Sequence, residues 1–371
     1  MRAFRGHPEV FKGEKVGRAA ADLLRRWRTE SHLRQCVYVG GIRVTAAQPV
    51  AESPEASSSE AAIPTWLYAA GGVIVLIGLA AVSDFVGQSL VIGATENAPL
   101  VLAALGFALL YRLTGLLNVA YAETITLGGY FAIWITSTFG LSFAAAVIPA
   151  GILAGILSMT TYMTVFRPAQ RRNVDGLELI VISFGLALFL RHALQFVFGY
   201  RTRNFDLPPA TTVTILGVGV PSYLLLAVVS VAVLSTAIYQ FIRRTSYGLQ
   251  IRALASNEGL AKATGIRPLT VTLLIWFVAG LAGGLAGSFY GVGSAVVPLL
   301  GARQLLLILF IVLVGGIWDL LGVVWVGIAT GIALSAMTLL WGALYAELVL
   351  IIGFMVILKL RGGRLSESSK V

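Results

Sequence analysis

Polar and ionisable side chains interrupt an apolar part of the sequence in the segment Thr114–Tyr130, which reads TGLLNVAYAETITLGGY. An ionisable group at membrane depth is costly unless it faces water or the interior of a helix bundle, so such groups mark pathways for solutes and ions. Gly115, Gly128 and Gly129 predict an interrupted helix, whose ends and exposed backbone can bind zwitterions. The candidate pathway residues are Asn118, Tyr121, Glu123, Thr124 and Thr126.

The same segment has a structural interpretation. In that alternative, Glu123 is protonated or paired within the protein, and the glycines serve only close helix packing. A later glycine-rich segment, Leu313–Gly331, contains Asp319 and together with the first fits the internal pseudo-symmetry common in transporters. Another, Ala279–Gly291, carries small residues at three- and four-residue spacing and predicts a packing face.

An Arg-rich island, Arg243–Pro268, separates two apolar runs that contain no charged residue. Such an island is a loop on the water side of two membrane spans. The spacing of its apolar and small residues predicts one short surface helix, capped by Ser256 or Asn257 and ended by Gly265. The alternative is an ordinary solvated loop that only joins the spans.

The composition determines the class of protein. The chain is 57% hydrophobic and 12% charged, whereas soluble domains contain about 25% charged residues. Spanning helices need about 20 predominantly apolar residues, and the apolar stretches here are too continuous for alternating barrel strands. The sequence therefore predicts an all-α, polytopic transmembrane helical bundle over residues 63–360.

The net charge of +10 lies mainly in the tails and the loops between spans. An excess of Lys and Arg in loops marks the cytoplasmic side, so we expect no nucleic-acid partner and both termini in the cytoplasm. The loop Arg167–Arg172 and the Arg-rich island then lie on the same side. Eight to ten spans are expected, beginning near Trp66, and the span Leu177–Phe198 carries Arg191 and His192.

Residues 1–62 are hydrophilic and form a separate region, which we expect to be largely disordered and cytoplasmic. Apolar residues within 16–33 recur every three or four positions between basic ones, which predicts a basic amphipathic helix on an anionic membrane face. The alternatives are a marginal helix in a flexible tail, or residues upstream of the true translation start. Residues 361–371 are predicted to be a second cytoplasmic tail.

Several enzymatic functions are excluded by missing motifs. The sequence has no GxxxxGK[ST] phosphate-binding loop, no HExxH and no GxSxG. Its three histidines are scattered, and its one cysteine excludes a disulfide framework and a Cys-based metal cluster. We therefore expect a transport protein that is not an enzyme and holds no metal or cofactor of its own.

Five motifs in order, across residues 66–360, resemble the LivH/LivM-type permeases of ABC importers for branched-chain amino acids. In the first motif Gly115, Asn118, Ala120, Glu123 and Gly128 match, while Tyr121 and Ala122 stand where His and Gly are usual. The others are FRPAQRRNVDGLELIVISFGLALFLR, IRALASNEGLAKATGIRP, FVAGLAGGLAGSFYG and VLVGGIWDLLGVVWVGIATG. The ending Arg361–Arg364 departs from the usual R-P-x-G and leaves the substrate open.

The resemblance implies a multi-pass protein of the cytoplasmic membrane, paired with a second permease subunit in a heterodimer. Separate P-loop ATPase subunits would bind ATP, and an extracytoplasmic binding protein would deliver the substrate. The Arg-rich island would supply a coupling helix that docks on the ATPase through Arg252, Glu258, Ala261, Lys262 and Gly265. Urea or short amides are alternative substrates, and an ion-gradient-driven secondary transporter is the alternative class.

Overall fold

The computed structural model describes residues 38–39, 42–43, 84–115, 117–172, 174–206, 211–215, 217–256, 258–316, 319–346, 348–353 and 355. The chain divides into two units, residues 1–62 and 63–371. In the first, the short strands β1 (Tyr38–Val39) and β2 (Ile42–Arg43) pair antiparallel. The amphipathic helix predicted within 16–33, the first predicted span at 66–82 and the tail 361–371 lie outside the described residues.

The second unit is a bundle of helices, which confirms the predicted fold class. Its helices are α1 (Asp84–Glu96), α2 (Ala98–Thr114), α3 (Tyr121–Phe139), α4 (Phe143–Thr161), α5 (Arg167–Arg171), α6 (Gly176–Phe198), α7 (Ser222–Arg244), α8 (Ser246–Ser256), α9 (Glu258–Ala263), α10 (Pro268–Gly293), α11 (Leu300–Gly315) and α12 (Leu320–Trp341). A π-helical turn, Tyr162–Phe166, joins α4 to α5. Strands β3 (Thr212–Ile215) and β4 (Val218–Pro221) form an antiparallel hairpin before α7.

Within the described residues, five helices are long and apolar enough to cross a membrane: α4 with its continuation through α5, α6, α7, α10 and α12. The pair α1 and α2, bent by 48°, makes a sixth if it is one span. The protein is therefore a multi-pass membrane protein. Among the described residues, α11 and Ala343–Gly353 are shorter apolar helices. The count of eight to ten stays a prediction, because it includes these short helices, α3 and the span at 66–82.

Helix α10 forms the centre of the bundle and packs on α2, α3 and α4 through small residues. A Cβ atom on Gly287 would overlap the carbonyl oxygen of Ile125, and one on Gly128 would overlap the backbone of Gly284. The Ser288 hydroxyl donates to the Gly128 carbonyl at 3.1 Å across the same contact. The packing face predicted at 279–291 is confirmed, because backbones this close leave no room for side chains.

The packing of α4 on α10 establishes which loops share an end of the bundle. The ring of Phe143, at the start of α4, lies 5.7 Å from that of Phe289 late in α10, and the ring of Phe166, beyond the end of α4, lies 4.9 Å from that of Trp276. The two helices therefore run antiparallel, and α5 lies at the same end as the start of α10. At the opposite end, Arg203 and Val296 exchange backbone hydrogen bonds of 3.0 and 2.9 Å. This confirms that the two basic loops lie on the same side.

Substituting Gly287 by alanine should destabilise the protein, because the neighbouring carbonyl of Ile125 belongs to a packed helix and has little room to move. We expect a loss of about 1–3 kcal/mol, as for other overpacked cores. The matched control is Gly185→Ala in α6, where a Cβ meets no atom within 4 Å. Thermal unfolding in detergent should show a lower transition temperature for the first variant only, and equal transition temperatures would show that the contact between α3 and α10 tolerates a side chain.

Candidate functional site

The chain breaks between α2 and α3 inside the bundle. Gly115 ends α2 with a left-handed backbone, φ 64°, and α3 begins at Tyr121. Between them, the Val119 N–H donates to the Ser183 hydroxyl of α6 at 3.1 Å. Ser183 lies about 10 Å from the start of α6, at 1.5 Å of rise per residue. The predicted interruption is confirmed at Gly115 only, because α3 continues unbroken through Gly128 and Gly129, which pack closely on α10. The break places the N-terminus of α3 within the apolar layer.

A second helix, α11, begins beside the same place. The N–H of Gly301 donates to the Thr126 hydroxyl at 3.0 Å, and a Cβ on Gly301 would overlap the carbonyl oxygen of Ala122. Unpaired N–H groups at the start of a helix need acceptors, and in lipid only the protein can supply them. The first turns of α3 and α11 therefore meet in the interior, with Thr126 capping α11.

An ion pair lies next to these helix ends. Glu123, in the first turn of α3, is 1% exposed, and its Oε1 accepts hydrogen bonds from Nε of Arg191 at 3.1 Å and from the Nη2 of the same side chain. Its Oε2 is buried and has no hydrogen-bond partner among the described residues. A carboxylate in this position also interacts favourably with the positive end of the helix dipole. The carboxylate of Glu123 is therefore paired with Arg191 within the protein, as the structural interpretation of this segment predicted.

The five residues predicted for the pathway are all buried, but their contacts divide them into two groups. The Tyr121 hydroxyl donates to the Ala103 carbonyl at 2.9 Å and lies 3.3 Å from that of Ala279, so it joins α3 to α2 and α10. Thr126 joins α3 to α11. In contrast, the buried Oδ1 of Asn118 has no hydrogen-bond partner within the described part of the chain.

Asn118 and Glu123 are therefore the two predicted residues that retain a buried oxygen able to accept a further hydrogen bond. Thr124 is buried beside them. Sequence reasoning noted Arg191 as a charge within a span but assigned it no role, and it overlooked Ser183. The signal for Arg191 was its position at membrane depth, because such a cation requires a partner.

An apolar cavity of about 650 Å³ lies along α3 and α6 beyond the ion pair. Its walls include Leu127 and Leu194, which follow Glu123 and Arg191 by about one turn on their own helices, and Arg203 lines it as well. A larger cavity of about 1000 Å³ lies at the end of the bundle that carries the β3–β4 hairpin. Its lining mixes apolar residues with polar ones: Thr136, Ser137, Asn204, Asp206, Thr211, Ser222 and Tyr223.

The predicted coupling segment folds into two short helices, α8 and α9, where the sequence predicted one. Gly265 ends α9 with φ 84°, as predicted, and the Ile266 N–H donates to the Ala261 carbonyl at 3.2 Å. Ala261 itself is 3% exposed, so it packs within this chain and cannot offer a small side chain to a partner. Leu260, at 66% exposed, lies on the outer face.

Arg252 connects this segment to the bundle. Its guanidinium donates to the carbonyl oxygen of Ile242 in the last turn of α7. This contact satisfies one of the free carbonyls at the end of a helix and holds α8 against α7. The side chains of Glu258 and Lys262 lie outside the part of the chain that the structure describes, so their predicted coupling roles stay predictions.

The apolar multi-pass bundle, with two helices that begin inside it beside a buried ion pair, defines an integral membrane transport protein. Residues 89–359 match the family model described as the branched-chain amino acid transport system, permease component. This match covers most of the chain, and the protein belongs to that family.

Curated relatives agree with this assignment at low identity. The chain is 24% identical over 253 residues to a probable branched-chain amino acid transport permease protein LivH of Methanocaldococcus jannaschii, covering 64% of this chain and 77% of the relative. It is 25% identical over 272 residues to the high-affinity LivH permease of Salmonella typhimurium, covering 66% and 84%. It is also 22% identical over 209 residues to the guanosine ABC transporter permease protein NupQ of Bacillus subtilis, covering 52% and 63%.

Removing one partner of the buried ion pair should destabilise the protein strongly, because the other charge is left uncompensated. We expect Arg191→Met to cost about 3 kcal/mol of folding free energy. Adding Glu123→Gln should restore most of that loss, since both charges are then gone. Thermal unfolding of the two single variants and the double variant measures the coupling. Additive losses would show that the pair contributes nothing to stability.

Proposed function

We propose that this chain is a permease subunit of an ABC importer that moves branched-chain or related amino acids across the cytoplasmic membrane, driven by separate ATPase subunits. The observation that carries the proposal is the meeting of the N-terminal turns of α3 and α11 within the bundle, beside Glu123 and Arg191. Family membership supports the transport role, and the names of two relatives support the substrate class.

The chemistry of this interior place suits a zwitterion. Helix N-termini attract a carboxylate through their N–H groups and dipole. A carboxylate attracts an ammonium group, and the Oε2 of Glu123 has no hydrogen-bond partner among the described residues. The amide oxygen of Asn118 is a second acceptor for the ammonium group. Transport requires a second conformation in which these groups become accessible, because all of them are buried in this one.

The proposed partners follow from what this chain lacks and from what it exposes. The sequence has no phosphate-binding loop, so ATP would be bound by P-loop ATPase subunits. These subunits would dock on the loop after α7, against the exposed side of α9 and the turn at Gly265. A homologous second permease would complete the membrane unit as a heterodimer, and an extracytoplasmic binding protein would deliver the substrate to the opposite end of the bundle.

Urea and short amides are the alternative substrates that the family resemblance implies, and nucleosides are added because one relative is named a guanosine permease. A different class, an ion-gradient-driven secondary transporter, is kept because of one observation. A carboxylate buried at membrane depth, as Glu123 is, is a group that can carry protons in such transporters. The two classes differ in their energy source, which an experiment can separate directly.

Transport should require ATP. The chain is expressed with its partner permease, ATPase subunits and binding protein, and the complex is reconstituted in liposomes. We expect uptake of labelled leucine only when ATP and the binding protein are both present, and no uptake driven by an imposed proton or sodium gradient. Unlabelled valine, urea and guanosine are tested as competitors. Gradient-driven uptake without ATPase subunits would establish the secondary transporter instead.

Gly265→Val should separate ATP hydrolysis from transport, because a β-branched residue at φ 84° distorts the turn that ends α9. We expect uptake to fall at least about tenfold from a backbone strain of about 1–3 kcal/mol, while the complex still assembles and hydrolyses ATP. The matched control is Gly217→Val, which introduces the same strain at φ 79° in the hairpin at the other end of the bundle. Equal uptake by the two variants would contradict a coupling role for this turn.

A further inference from the structure

Two neighbouring cavities lie between α7, α8 and α10, at the end of the bundle that carries the Arg-rich island. The first, of about 250 Å³, is almost wholly apolar and includes Leu234 and Phe241 of α7, Ile251 of α8 and Leu274 of α10. Leu109 of α2 also lines it and is buried in the core. The cavity is therefore an apolar cleft between α7 and α10 that α2 closes on the inside.

The second cavity, of about 460 Å³, is predominantly polar. Its lining includes Tyr247, Gln250, Thr264, Arg267 and Thr270. Hydroxyl, amide and guanidinium groups are donors for an anion, and no carboxylate is among the described residues that line either cavity. This cavity could therefore accept an anionic group at no cost in charge repulsion.

The two cavities have no lining residue in common, but their walls adjoin at three places, and we call the two together the α7–α10 groove. Thr270 of the polar cavity and Leu274 of the apolar cavity lie one turn apart on the same face of α10. Gln250 and Ile251 are consecutive in α8. The ring of Tyr247, in the polar cavity, stacks on that of Phe241, in the apolar one, with centroids 6.2 Å apart. A single molecule with a polar head and an apolar chain could contact both.

Positive charge accompanies the polar half of the α7–α10 groove. Arg267 lines it and is exposed. Arg244 follows Phe241 by three residues and therefore lies on the same face of α7, just beyond the apolar cavity. Basic pockets between transmembrane helices at the membrane surface recognise anionic lipid head groups. The groove thus changes from a buried apolar cleft to exposed guanidinium groups. A phospholipid matches it, because its acyl chains are apolar and its phosphate is anionic.

We propose that the α7–α10 groove binds one anionic phospholipid, with its phosphate at Arg267 and Arg244 and one acyl chain in the apolar cleft. The bound lipid contacts α8, the turn at Gly265 and the start of α10 at once. It therefore holds the Arg-rich island against the bundle, whatever solute the protein carries. When the island is fixed in this way, a movement of the island also moves α10. A loosely held island would move without displacing α10.

The test measures lipid binding to the purified full chain after delipidation. Native mass spectrometry during titration with phosphatidylglycerol should show one tightly bound lipid, while phosphatidylcholine and glycerol phosphate should bind at least about tenfold more weakly. Arg267→Gln should weaken phosphatidylglycerol binding about fivefold, as expected for one basic residue near an anionic head group. Ala237→Leu, which adds volume at the wall of the apolar cleft, should also weaken it.

The matched control is Arg171→Gln, which removes an exposed arginine at the same end of the bundle but outside both cavities. It should leave binding unchanged, and size-exclusion profiles should show that all three variants remain folded. Equal binding of the two head groups, or equal effects of the two arginine substitutions, would overturn the proposal. Equal binding of glycerol phosphate would make the groove a free-anion site. Loss of the bound lipid when ATPase subunits are added would show that it does not hold the island in the assembled complex, and the proposal would fail in both cases.

Discussion

Every backbone N–H and C=O group at membrane depth must find its partner within the protein, because lipid offers none. The interior breaks of this bundle satisfy that constraint with short polar side chains. Ser183 accepts from the N–H of Val119, and Thr126 accepts from that of Gly301. Each contact joins a helix start to a neighbouring helix. The polar side chains that satisfy the backbone at these breaks thus bring the starts of α3 and α11 together, beside the carboxylate of Glu123 and the guanidinium of Arg191.

This arrangement depends on backbones that approach closely. Glycines in α3 and α10 let the two helices touch at Gly128 and Gly287, which brings Tyr121 within reach of the carbonyls of α2 and α10. The closely packed helices α3 and α10 therefore form a rigid centre of the bundle. Helix α6 is held differently, since only four of its residues are buried and it makes polar contacts to the interior through Ser183 and Arg191. Polar contacts can be exchanged for others more readily than interlocked backbones, so a conformational change is easier to accommodate at α6 than at α10.

The loop after α7 connects the surface to this centre. Arg252 fixes α8 to the end of α7, and Ala261 packs inward instead of facing a partner. Leu249, Leu260 and the turn at Gly265 are among the exposed features of this loop. Helix α10, which forms the centre of the bundle, begins at Pro268 directly after this loop, so the loop is joined to the packed core by a short connection. The α7–α10 groove adjoins that connection.

Composition and charge bias determined the class of protein, the helical bundle and the shared side of its basic loops, because apolar length and loop charge are local properties of the chain. Glycine spacing likewise identified the packing face of α10 and the break before α3. Contacts between distant residues were decided only by the tertiary structure. The sequence identified Glu123, Tyr121 and Thr126 as polar residues at membrane depth. It could not show which of them contact a solute and which join two helices. Arg191 lies 68 positions from Glu123, and only the packing of α6 on α3 makes them a pair.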